Sequence, residues 1–148
     1  MDESDPEPEF MRLYERALEL LKEAESRIRL CRTYEEMEAA HREGKAAAFL
    51  SLEDLSIAGR CSGRLAELGF SFVMLTWNYE NEFGCGAASG QGRGLTEKGR
   101  EMVRLLSGQK ITLDISHLSD QGAEDIFSLT DAPVTASHSN VRSVCGNP

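Results

Sequence analysis

With 148 residues, 41% of them apolar and 7% aromatic, the chain has material for one ordinary hydrophobic core. Its formal charge of −9 and its pI near 4.8 argue against nucleic acid and anionic lipid as partners, because both surfaces repel an acidic protein. Cys31, Cys61, Cys85 and Cys145 form no Cys-x-x-Cys pair, and no signal peptide or long apolar run precedes them; the expected compartment is therefore reducing and cytoplasmic.

In chain order, residues 1–9 (MDESDPEPE) carry prolines and acidic side chains with little to bury, which predicts a flexible acidic lead-in to a domain spanning residues 10–148. From Phe10 to about Arg32 the positions Leu13, Ala17, Leu18, Leu21, Ala24 and Ile28 recur at three- and four-residue spacing, the pattern of a core-facing amphipathic helix. Thr33 and Glu36 have capping-box spacing for a second, shorter helix that Gly44 would stop. Short apolar runs then alternate with helical segments. Strands are expected over Ala46–Glu53, Phe70–Trp77, Ile111–His117 and Pro133–His138. The helices expected between them are Ser62–Leu68, closed by Gly69, Thr96–Ser107, stopped at Gly108, and Ser119–Leu129. Asn78–Gly94 reads as a long loop, and its glycine-rich part Gly84–Gly94, which precedes a helix but lacks a phosphate-loop lysine, reads as a flexible active-site loop rather than a nucleotide cradle.

Strands alternating with helices imply right-handed crossovers and an α/β fold with a parallel sheet. A complete (β/α)8 barrel takes about 250 residues, so four such strands correspond to about half a TIM barrel. A small open doubly wound sheet has the same local pattern and stays open at this point.

Reactive groups in parallel α/β proteins gather at the carboxyl ends of the strands. Three of the expected strands end on Glu53, His117 and His138. The remaining histidine, His41, falls in a polar helix and reads as solvated. One histidine at a strand end is more often a structural hydrogen-bonding residue. A carboxylate and two imidazoles at equivalent places are the donor types that zinc takes when it keeps an open position.

The strings DISHLSDQG and APVTASHSNVRSVCGNP resemble motifs of the membrane dipeptidase family, renal dipeptidase and its bacterial relatives: an Asp-x-x-His-x-Ser strand end, here Asp114 to Ser119, and a later Ser-His-Ser, here Ser137 to Ser139. AAFLSLED resembles the strand that ends in the metal-bridging glutamate, and LGFSFVMLTWNYENEFGCG the next strand with its loop. The resemblance runs from about Phe10 to Pro148. It implies a β/α barrel that hydrolyses dipeptides with two zinc ions. Glu53 would bridge both metals, and His117 and His138 would hold the second. Two cations at one site acidify a water near neutral pH and polarise the scissile carbonyl. Asp114, Ser137 and Ser139 are then candidates for orienting the imidazoles, and Trp77 and Asn78 for contacting substrate. Trp77 stands where the mammalian members carry a substrate-binding histidine.

The family's other zinc site uses a His-x-Asp pair, and no such pair occurs here. The resemblance places the aspartate acting as general acid and base, and the arginine for the substrate carboxylate, after Pro148. The chain is thus expected to be an incomplete portion of the enzyme, associating with copies of itself or with a complementary fragment because half a barrel leaves edges and apolar surface uncovered. The other reading is a non-catalytic half-barrel interaction module with one vestigial zinc or none.

Overall fold

The computed structural model describes residues 5–89, 92–141 and 143–144. Helix α1 spans Glu7–Glu23, with Pro6 at its N-cap and Glu7 and Glu9 in its first turn, where acidic side chains favour the positive end of the helix dipole. The lead-in expected over residues 1–9 thus gives up its last three residues to the helix. Asp5 and Glu7 are also tied down, both pairing with Arg60. Phe10 is buried and stacks on Tyr14 and Phe70, and the Tyr14 hydroxyl donates to the Leu68 carbonyl at 2.8 Å.

The helix expected to continue to Arg32 stops nine residues earlier, and Ile28–Leu30 form strand β1. Its register is parallel to Ala46–Ala48, strand β2. Ile28 satisfies the helical spacing and suits a strand equally well, so the partner strand decides between them. Between the two lies α2, Tyr34–Arg42. The Thr33 hydroxyl accepts from the Glu36 amide, while the Glu36 carboxylate reaches the amide of Arg32, one residue before the cap. His41 is exposed there, as its polar setting predicts.

The run expected as one strand is interrupted at Phe49. Its first half, β2, pairs with β1, and its second half, β3 (Leu50–Leu52), pairs with β4 (Phe70–Val73) across a register shift. A 3-10 stretch, Leu55–Arg64, and the short helix α3, Leu65–Leu68, join β3 to β4, and Gly69 closes α3 at φ 87°. Helix α4 spans Glu97–Gly108 under a Thr96 cap; Gly108 lies inside the helix and the chain turns at Gln109 and Lys110 instead. Strand β5, Thr112–Asp114, helix α5, Asp120–Leu129 under a Ser119 cap, and strand β6, Val134–Thr135, complete the order.

Among the described strands every ladder is parallel and follows chain order, β1 with β2 in one sheet and β3-β4-β5-β6 in another. A doubly wound sheet reverses strand order at a switch point, whereas a β/α barrel adds each strand to the same edge. The chain is therefore mixed α/β with the winding of part of a barrel, and the open-sheet alternative falls. The core lies between the strands and the covering helices, where Leu55, Leu65, Val73, Val103, Leu106, Leu113 and Ile126 are buried. Burial of each such side chain contributes about 1.5–3 kcal/mol. Among the described residues no helix is long and apolar enough to cross a membrane.

Candidate metal centre

The strand ladders are shorter than the sequence suggests. Glu53 follows β3 directly, but His117 and His138 each stand three residues past the ends of β5 and β6. The reason is Asp114. Its carboxylate, 2% exposed, takes the amides of Ser116 and Ser137 at 3.0 and 3.2 Å on Oδ1, replacing the ladder with side-chain acceptors. Burial pushes the Asp114 carboxyl up, yet the hydrogen bonds from Ser137 and Ser116 outweigh it and hold the group below its ordinary value.

Past that point three donor atoms converge. Glu53 Oε1 lies 2.8 Å from His117 Nε2 and 3.8 Å from His138 Nε2, and the two Nε2 atoms are 2.7 Å apart. The side chains are 48%, 20% and 45% exposed respectively, so the cluster opens on solvent. His117 Nδ1 meets Asn78 Oδ1 at 2.9 Å, and His138 Nδ1 meets the Ser137 hydroxyl at 2.8 Å. The Ser139 hydroxyl does not touch an imidazole; it donates to Ser116 Oγ at 3.2 Å, which also accepts from the His138 amide at 3.2 Å. Among the described residues this is the one group of three or more His, Cys, Asp or Glu side chains with metal-holding geometry, its atoms lying within 4.8 Å of one another.

The donor chemistry fits a divalent cation. A carboxylate oxygen has only lone pairs to offer, and each neutral imidazole carries one proton for two nitrogens. In the tautomer that carries its proton on Nδ1, His117 would offer an Nε2 lone pair beside the carboxylate 2.8 Å away. Lone pairs converging in this way need a positive charge between them, and zinc takes this donor set.

The loop after β4 builds the wall beside the cluster. Trp77, 46% exposed, sits 6.3 Å ring to ring from His117 and edge-on to the exposed Tyr79. Asn78 turns its Oδ1 to His117 rather than outward. Although expected to be flexible, the described part of the loop is closely bound. The Ala87 amide donates to the His117 carbonyl at 2.8 Å, the Ser119 amide to the Cys85 carbonyl at 3.0 Å, and Gly86 bridges Leu118. A Cβ on Gly86 would overlap the Trp77 carbonyl and the Asn78 backbone, so only glycine permits this approach. His117 itself takes φ 67°, a left-handed conformation that costs about 1 kcal/mol or more outside glycine and persists only where surrounding contacts enforce it. Gly90 and Gln91 of the glycine-rich stretch lie outside the described residues, as does Cys145; Cys31, Cys61 and Cys85 are buried free thiols.

Sequence reasoning missed three supporting residues. Asp54, at φ 72°, accepts from the Ser56 amide and hydroxyl and from Asn81 Nδ2. Asn81 also donates to the Leu75 carbonyl and accepts from the amides of Phe83 and Gly84. Asp125, buried in α5, accepts from the Leu95 amide at 2.8 Å and pairs with Arg100 at 2.9 Å, anchoring the far end of the loop. The Asn81-x-x-Gly84 turn pattern was the one local signal among them.

Residues 8–148 match the family model described as membrane dipeptidase, peptidase family M19. A metallopeptidase from Rhodobacter sphaeroides, solved with a phosphinate mimic of the dipeptide L-Ala-D-Ala, is 30% identical and superposes with a TM-score of 0.83 over 93% of this chain and 42% of that one. A dipeptidase AC of family M19 is 30% identical with a TM-score of 0.84, again over 93% and 42%. Dipeptidase aclJ of Aspergillus oryzae is 30% identical over 110 residues, 71% of this chain and 26% of that protein. An uncharacterized protein from the pqqA 5′ region of Klebsiella pneumoniae is 27% identical over 142 residues, 88% of this chain and 51% of its own. The chain thus spans from about a quarter to about half of the length of these relatives.

Proposed function

Because this chain belongs to the membrane dipeptidase family, peptidase family M19, we propose that it serves zinc-dependent hydrolysis of dipeptides, with Glu53, His117 and His138 as metal ligands. The observation that carries the reading is the convergence of Glu53 Oε1, His117 Nε2 and His138 Nε2 past the carboxyl ends of three parallel strands, β3, β5 and β6, within 4.8 Å of one another. When bound there, zinc would supply Lewis acidity, acidifying water and polarising the scissile carbonyl. The protein's own groups do the rest. Asn78 and Ser137 orient the imidazoles, Asp114 holds the backbone that presents them, and the exposed Trp77 and Tyr79 offer an apolar wall for a substrate side chain.

Small unblocked dipeptides are the proposed substrates. Those with a D residue in second place are included, since the Rhodobacter sphaeroides relative was solved with a mimic of L-Ala-D-Ala. The binuclear form of the mechanism, with Glu53 bridging, calls on donors besides these three and on a general acid and base that the cluster does not contain. Metal analysis after zinc reconstitution, combined with amino-acid release from L-Ala-L-Ala and L-Ala-D-Ala, tests the proposal, with His117→Ala as the control. Zinc bound by the parent chain and lost in the variant, together with release of alanine, is the expected result. One zinc without release would favour the non-catalytic module, and no zinc would remove the metal reading.

A further inference from the structure

We infer that Asn78 is a positioning residue that sets the tautomer of His117, keeping the proton on Nδ1 and the lone pair on Nε2. The inference rests on the metal reading of Glu53, His117 and His138 and adds the device that makes His117 ready as a ligand before any metal arrives. Three observations carry it.

The Asn78 Oδ1 and His117 Nδ1 atoms are 2.9 Å apart on partly buried side chains. An amide carbonyl oxygen only accepts, so the proton in that bond belongs to the imidazole. A neutral imidazole that donates from Nδ1 has no proton left on Nε2, the atom that faces Glu53 and His138.

Neither partner is free to drift. The Asn78 carbonyl accepts from the Ala88 amide at 2.9 Å, and the Gly86 backbone lies against Asn78 so closely that no side chain fits between them. The His117 carbonyl accepts from Ala87 of the same loop. One loop therefore holds the main chain of both residues, and the left-handed φ of His117 is the conformation that this double attachment enforces.

Among the described residues, His138 has no amide carbonyl at its Nδ1. Its Nδ1 faces a hydroxyl, Ser137 Oγ, which can donate or accept and so selects no tautomer by itself. The fixed member of the pair is His117.

The test uses the full chain. Nitrogen-15 and carbon-13 shifts of the His117 ring in the zinc-free protein read the tautomer directly, and competition with a chromophoric chelator reads zinc affinity. Wild type should show Nδ1–H. Asn78→Ala should show a mixture or Nε2–H and bind zinc about 10- to 100-fold more weakly, the usual scale for losing such a partner. Asn78→Asp, which keeps an oxygen acceptor in place, should restore both. Three results would each overturn the inference: an Nε2–H ring in wild type, equal zinc affinity in Asn78→Ala, or failure of Asn78→Asp to improve on alanine. Thermal melts establish that each variant is folded; if Asn78→Ala does not fold, the wild-type tautomer and the aspartate variant decide. A wild type that binds no zinc would remove the metal reading, while the zinc-free ring shifts would still decide the role of Asn78.

Discussion

His117 and His138 follow neighbouring strands at the same offset, yet they are held in different ways. β5 has a strand on each side, and the loop after β4 grips His117 through its carbonyl, its ring and its neighbours Leu118 and Ser119. Among the described residues β6 is two residues long and pairs on one side only, and His138 is held by its own neighbour Ser137 and by the Ser116 hydroxyl just past β5. The side chains are 20% and 45% exposed accordingly. A ligand's readiness therefore depends less on its place at a strand end than on what packs against its far side.

The most direct way to break this contrast is Gly86→Val. The new side chain cannot share space with the Trp77 carbonyl and the Asn78 backbone, so the loop must lift from His117. A loss of about 3 kcal/mol is expected in denaturant unfolding, at the upper end for overpacking. Zinc affinity should fall with it, leaving His117 as loosely held as His138.

Asp125→Ala releases the same loop from its other end. It strips the acceptor from the Leu95 amide and the partner from Arg100, for an expected cost of about 2 kcal/mol, in the range for an orphaned buried donor. Asp125 also gives this loop anchor a pH signature. Burial pushes its carboxyl up, but the Leu95 amide, Gln121 and Arg100 more than compensate and hold it below its ordinary value. A carboxyl depressed in the folded state stabilises fully above its unfolded pKa of about 3.9, and that contribution is lost as the pH falls through the folded value. Asp125→Asn should therefore be less stable than wild type at neutral pH and lose less on acidification. Parallel acid limbs for the two proteins, followed by urea melts from pH 6 to pH 2, would contradict this.

The smallest effect should come from Ser137→Ala. The hydroxyl is exposed and meets an imidazole that is itself half open to solvent. Stability should fall by about 1 kcal/mol, because the same hydroxyl also helps to hold the buried Asp114 carboxylate. Zinc affinity should fall by about threefold or less, far below the loss expected for Asn78→Ala. Equal losses at the two positions would show that both histidines rely on their partners alike.

The alternation of strands and helices, the cap at Thr33, and the trio Glu53, His117 and His138 are all readable in the primary structure. Each rests on local periodicity, capping chemistry or residue type at a strand end, and these need no knowledge of distant partners. Other features depend on contacts that no local pattern encodes. Ile28 fits a helix and a strand equally, and pairing with Ala46 settles it. Asn78 begins a turn in any setting, and only the return of Gly86 and Ala87 against His117 turns its carbonyl oxygen onto an imidazole. The order of the strands belongs to the same class, since an open sheet and a barrel share their local pattern and differ only in which edge receives each new strand. Residue chemistry thus singled out the three candidate ligands in the linear chain, and tertiary packing decided their orientation, because hydrogen-bond direction is set by groups tens of residues away.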